Sequence, residues 1–170
     1  RQFNMNEEIL IKDNHLSEKE LSDLENFLIS DKFPYYYNIN IAGEDAENTD
    51  TFMFNHILIH KEGECSNVGN MITNMVMKNI PHKKIYRSKI NFYLKSETLK
   101  RHIFHKDDVN DNINVALFYI NTNNGYTEFE DGTIINSKRN RLVLFPCKLK
   151  HRSTTTTDTR ERINININYD

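Results

Sequence analysis

The segment RHIFHKDDVND, residues 101–111, places His105 and Asp107 two apart. On an extended chain alternate side chains leave the same side, so this imidazole and carboxylate face one way while Asp108 faces the other. Together they suit Fe(II), Mn(II) or Zn(II). The chain has seven histidines, so the triplet alone is weak evidence. A second histidine, His151, follows the apolar run RLVLFPCKLK. Two histidines and one carboxylate fill one face of an octahedral metal and leave the other positions open to substrate and oxygen. Ligands from such distant strands meet only where a sheet curls, as in a jelly roll. His102 rivals His105 only on a helix, and HKDDVNDNIN is poor helix sequence, so His102 is expected to be a supporting or structural residue. His15, His56, His60 and His82 lack such company and read as packing or surface residues.

The elements that must position these groups are legible in outline. In LSEKELSDLENFL, Ser17 and Glu20 form a capping box and Leu16 can staple onto Leu21, which predicts a helix over about 17–30. Its apolar stripe of Leu21, Leu24, Phe27 and Leu28 needs a sheet to lie on. A second helical stripe runs through Val68, Met71, Ile72, Met75, Val76 and Ile80, closed by Pro81. Strand-like runs follow at PYYYNINIA, TFMFNHILI, KIYRSKINFYL, NVALFYI, YTEFE, TII, RLVLF and RINININY. Asn124-Gly125 and Asp131-Gly132 are hairpin dipeptides, so 114–136 reads as a β-meander. The expected class is α+β: a jelly roll (double-stranded β-helix) with N-terminal helices on one face, in one domain over 1–170. Helical support occupies about 1–83 and the core about 84–170.

Composition narrows the partners. The formal net charge is -2, which favours neither nucleic acid nor membrane. Lys138, Arg139, Arg141, Lys148, Lys150 and Arg152 form the one basic cluster and read as a solvated face. Two cysteines, Cys65 and Cys147, suit neither a disulfide scaffold nor a zinc motif, which points to a reducing cytoplasmic setting. No apolar run approaches the length of a membrane helix.

In order, HKD, GYTEF, NRLVLFPCKLKH and TRERINININ resemble the Fe(II)- and 2-oxoglutarate-dependent dioxygenase superfamily, in its prolyl-4-hydroxylase-like branch of small phage and bacterial members. The likeness covers about 84–170. It implies a metal triad of His105, Asp107 and His151, and an Arg about ten residues beyond the last ligand that clamps the far carboxylate of 2-oxoglutarate. Arg160 and Arg162 compete for that role; Arg162 fits better because it opens the regular alternation, and a guanidinium grips a carboxylate through two parallel hydrogen bonds. Tyr93, with Asn91 on the same face, is the implied partner from the strand before the triad, and Asn164 follows Arg162 on the clamp's face. The implied cofactors are Fe(II), 2-oxoglutarate and O2, with ascorbate as an accessory reductant. The implied reaction hydroxylates a C–H bond of a protein or peptide residue, prolyl included, or of a free amino acid, and releases succinate and CO2. A phage-encoded member would work in the host cytoplasm. The rival readings are a jelly-roll binding module without catalysis, a cupin-like isomerase that Arg162 argues against, and a nucleic-acid demethylase of the same superfamily. Substrate contacts are expected from residues 51–60 and the DDVNDN loop.

STTTTDTRER then reads as a polar hairpin connection that sets the distance from His151 to Arg162. In the strand after it, Arg162, Asn164, Asn166 and Asn168 share one face and Ile163, Ile165, Ile167 and Tyr169 the other. For Arg162 to reach a cosubstrate, the asparagines must line the barrel interior and the isoleucines pack under the helices.

Overall fold

The computed structural model describes residues 9–39, 41, 52–61, 63–108 and 110–170. In chain order these form β1 (Leu10–Asp13), α1 (Glu18–Leu28), β2 (Tyr36–Asn38), β3 (Met53–His60), β4 (Gly63–Glu64), α2 (Gly69–Val76), β5 (Ile85–Leu94), β6 (Asn114–Tyr119), β7 (Tyr126–Phe129), β8 (Ile134–Asn136), β9 (Arg141–Pro146), β10 (His151–Ser153) and β11 (Glu161–Tyr169). An antiparallel sheet of eight strands runs β1-β9-β6-β11-β5-β3-β2, with β4 on β3. A second sheet of three runs β10-β7-β8. The architecture is the expected α+β double-stranded β-helix. The segment before residue 83 gives more than helices, since β1, β2 and β3 extend the same sheet that carries β11.

Each face of the large sheet has its own backing. Ile163, Ile165 and Ile167 of β11 join Ile90, Ala116, Phe118, Leu142 and Leu144 in one buried cluster, capped by Leu21, Leu24 and Leu28 of α1 and by Ile72 and Val76 of α2. The Ser17–Glu20 capping box starts α1. Arg139 then ties that helix to the sheet edge through Glu18 and Glu25. On the other face Val115, Leu117, Tyr119, Val143 and Phe145 meet Phe129 and Ile135 of the small sheet.

Three expectations change. α2 ends at Val76, ahead of Ile80 and Pro81, and Asn79 takes a left-handed φ of 65° that the helix does not continue through. Met71 faces outward at 56% exposure. The stretch 114–136 is not a meander, because β6 pairs with β9 and β11 in one sheet while β7 pairs with β8 and β10 in the other. Of the two turn dipeptides only Asp131-Gly132 closes a hairpin, with Gly132 at φ 89°. Nor is the threonine segment a hairpin: it crosses from β10 in the small sheet to β11 in the large one, with Thr154, Thr155 and Thr156 buried along the way. No helix among the described residues is long and apolar enough to cross a membrane.

Candidate metal centre

Backbone pairing brings the two histidines together. His105 and His151 form an isolated antiparallel bridge, each N–H donating to the other's carbonyl at 3.0 Å, and their rings lie 4.8 Å apart. Asp107, two residues on, turns its buried carboxylate to the same side. Its Oδ1 is 3.6 Å from His105 Nε2 and its Oδ2 is 3.8 Å from His151 Nε2. One ligand atom from each of the three lies within 4.8 Å of the others.

The surroundings fix how these groups present themselves. His105 Nδ1 lies 3.3 Å from the Ile103 carbonyl and His151 Nδ1 3.1 Å from that of Leu149. With each Nδ1 held by a carbonyl, both Nε2 atoms face the carboxylate, and on loss of any Nε2 proton the three groups form a donor set that a cation completes. Burial lowers the pKa of His151, and Phe129 and Phe145 pack on its ring. Burial also opposes charge on Asp107. His105, His151, Arg87 and Lys89 outweigh it and hold the carboxyl well below its usual range. Asn166 Nδ2 donates to Asp107 Oδ2 at 2.8 Å, and Arg87 Nη2 sits 3.2 Å from Oδ1. The loop itself is anchored by the Asp108 N–H, which donates to the buried Cys147 Sγ at 3.1 Å. The donor set fits a divalent transition metal.

A polar row leads inward from this centre along the paired strands β5 and β11. The register sets Arg87 opposite Asn168, Lys89 opposite Asn166, Asn91 opposite Asn164 and Tyr93 opposite Arg162. Lys89, Asn91, Tyr93, Asn164 and Asn166 line one pocket with the three candidate ligands. Asn91 Nδ2 donates to Asn164 Oδ1 at 2.9 Å, while Asn91 Oδ1 and Asn166 Oδ1 are buried without a partner. Burial, with Arg87 alongside, lowers the pKa of Lys89 to about 8.

At the deep end Arg162 is fully buried. Its Nε donates to Ser137 Oγ at 2.8 Å, its Nη1 to the Thr154 carbonyl at 3.2 Å and its Nη2 to Thr127 Oγ1 at 3.5 Å. The Tyr93 and Tyr119 rings flank it. All these partners are neutral, and Arg162 pairs with no carboxylate among the described residues. Buried charges are ordinarily paired, so this guanidinium has the surroundings of an anion receptor. Arg160, by contrast, is exposed in the turn. Gly125 belongs here too: a Cβ on it would meet Arg162 Cδ at 2.6 Å and the Thr155 carbonyl at 2.7 Å. The glycine makes room for the arginine, and its φ is not positive.

The other residues expected near the site fall in place around this row. His102 is buried beside it, stacked on Tyr93 at 5.3 Å with Nδ1 2.7 Å from Ser153 Oγ. Burial, with Arg162 and His105 near, lowers its pKa to about 3. Ser153 Oγ also donates to Tyr93 Oη at 3.1 Å. Of residues 51–60, Met53 reaches the pocket; Thr51, and Val109 of the DDVNDN loop, lie outside the described residues. The basic cluster is largely taken up by ion pairs: Lys138 and Arg141 with Asp13, Arg139 with Glu18 and Glu25, Lys150 with Glu130 and Arg152 with Glu128. Sequence reasoning did not single out Arg87, Lys89, Ser137 or Cys147 for the site. The alternation of β5 was the one available signal for Arg87 and Lys89.

Solved structures share this fold. An oxidoreductase of the 2OG-Fe(II) oxygenase family from Burkholderia pseudomallei superposes with a TM-score of 0.73 at 12% identity, covering 96% of this chain and 85% of that one. The chain has the fold of the Fe(II)- and 2-oxoglutarate-dependent oxygenases. Prolyl hydroxylases are among the bearers of this fold that match. A prolyl-4-hydroxylase from Pseudomonas putida gives a TM-score of 0.63 at 11% identity, over 97% of this chain and 94% of that one. A prolyl hydroxylase from Trichoplax adhaerens, solved with a peptide fragment of hypoxia inducible factor, gives 0.63 at 14% identity, over 97% and 84%. No protein-family model and no curated protein matches the sequence.

Proposed function

We propose that this chain is an Fe(II)- and 2-oxoglutarate-dependent oxygenase that hydroxylates a C–H bond of a peptide residue, prolyl included, or of a free amino acid. His105, Asp107 and His151 hold the metal. Arg162 receives the distal carboxylate of 2-oxoglutarate, with Tyr93 beside it and Asn91 and Asn164 between the clamp and the metal. The observation that carries this reading is the fully buried Arg162, without a carboxylate partner among the described residues, at the inner end of the row that leads to the triad.

Fe(II) with 2-oxoglutarate and O2 supplies the oxidising chemistry, which couples release of succinate and CO2 to oxygen insertion. The protein supplies position. The Ile103 and Leu149 carbonyls hold Nδ1 of each histidine and so turn its Nε2 toward the metal position, and Asn166 and Arg87 stop the Asp107 carboxylate from rotating. Arg162 orients the cosubstrate from its far end, and its aromatic and threonine walls exclude water, which strengthens that contact. Nucleic acid is the weaker substrate class, since the basic cluster that would track a phosphate backbone is spent on internal ion pairs.

The test is succinate formation from 2-oxoglutarate by the Fe(II)-loaded protein, screened against proline-containing peptides, free amino acids and methylated nucleic acid. Turnover should require Fe(II) and be stimulated by a member of the first two groups. Lack of 2-oxoglutarate binding would remove the reading.

A further inference from the structure

The polar row carries positive charge on both sides of the metal centre, and only the deep charge is used by the proposed cosubstrate. Arg87 and Lys89 stand at the level of the triad and beyond it, opposite Asn168 and Asn166. Arg87 is engaged, with Asp107 Oδ1 at 3.2 Å and with Asn168 Oδ1, to which its Nε donates at 3.2 Å. Lys89 lines the pocket yet makes no hydrogen bond or ion pair among the described residues. The pocket residues beside it, Asn91, Leu117 and Asn166, are neutral. The anion within its reach, Asp107, is already shared by Arg87, Asn166 and two histidines. A divalent metal and a doubly charged cosubstrate cancel each other and Asp107 stands against Arg87, so the charge of Lys89 is left unmatched.

We infer that Lys89 is a specificity-determining residue, whose ammonium receives a carboxylate on the substrate and so selects an acidic amino acid or an acidic residue of a peptide. This rests on the oxygenase reading and narrows its substrate class. Separation from the cosubstrate clamp follows from the register. Arg162 and Asn166 are four residues apart, about 13 Å along a strand, so Lys89 and the Arg162 guanidinium address different parts of the pocket. A neutral substrate would leave this ammonium desolvated and unpaired, and that penalises the wrong ligand.

The test uses the protein loaded with Zn(II), which binds such ligands without redox chemistry, and saturated with 2-oxoglutarate. Binding of N-acetyl-L-aspartate is compared by NMR titration with that of its near-isostere N-acetyl-L-asparagine. A blocked alanine peptide with one central aspartate is compared likewise with its asparagine twin, and the two pairs distinguish a free from a peptide-borne carboxylate. In at least one pair the carboxylate member should bind about tenfold or more tightly, as one charge-assisted hydrogen bond implies. Lys89→Gln should abolish that preference, Lys89→Arg should retain it, and 2-oxoglutarate affinity should stay within about twofold in both. Equal binding within both pairs, a preference that survives Lys89→Gln, or lost 2-oxoglutarate affinity in that variant would each overturn the proposal. Failure of the unaltered protein to bind 2-oxoglutarate would instead defeat the oxygenase reading, and the matched probes would still decide whether Lys89 selects carboxylates.

Discussion

The two faces of the large sheet are built from the same strands by opposite means. Behind β11, Ile163, Ile165 and Ile167 disappear into an apolar layer closed by both helices. In front of it, Arg162, Asn164, Asn166 and Asn168 are just as buried, yet they sit among polar groups, some without partners. The first face gains stability from every methyl group it removes from water. The second gains little and holds groups that are costly to bury. Burial alone does not distinguish a core from a site; the difference lies in whether the buried groups satisfy one another.

That contrast is open to direct attack. The largest effect should come from Asp107→Ala or His105→Ala, which should lower Fe(II)-dependent succinate formation by at least about a hundredfold while the variants still fold cooperatively; unfolding of these variants would erase the division of labour between the faces. On the rear face, Ile165→Ala should lose about 2–5 kcal/mol in denaturant unfolding, while activity per folded molecule is kept. Arg162→Met should raise the 2-oxoglutarate requirement by about tenfold or more, from loss of a charge-assisted contact, with stability held or improved because a buried unpaired cation is removed. Arg160→Ala should change that requirement by less than about twofold, and the reverse ranking would reassign the clamp. A smaller, pH-dependent effect is expected at His102. Its pKa falls from 6.5 to about 3 on folding, so between those values the unfolded chain binds the extra proton and stability drops as pH falls through that window. His102→Phe should flatten this part of the stability profile. Smallest of all, Ser17→Ala should cost about 1 kcal/mol through the lost helix cap, with no change in activity.

What the sequence disclosed follows the range of each interaction. The triad spacing, the Arg162 position and the two faces of β11 were legible because strand alternation is a local rule that two or three side chains already express. The capping box of α1 was legible for the same reason. The supposed meander was misread because Asn124-Gly125 looks like a turn dipeptide, whereas its glycine answers to Arg162, far along the chain. Whether β6 and β7 share a sheet is likewise decided by β9, β10 and β11. Ser137 under the guanidinium and Cys147 behind the Asp108 amide are ordinary letters until the chain folds around them.

The alternation of β11 also constrains how this chain can change. Its alphabet is loose, since a fold shared at 12% identity tolerates nearly any respelling of the layers. Its count is strict. Deleting one residue between Arg162 and Tyr169 would exchange the faces for every residue on one side of the cut, sending isoleucines toward the metal and asparagines under the helices. Substitutions there can be graded one at a time, but a single-codon deletion would lose core and catalysis in one step. In this strand, parity is inherited more rigidly than identity.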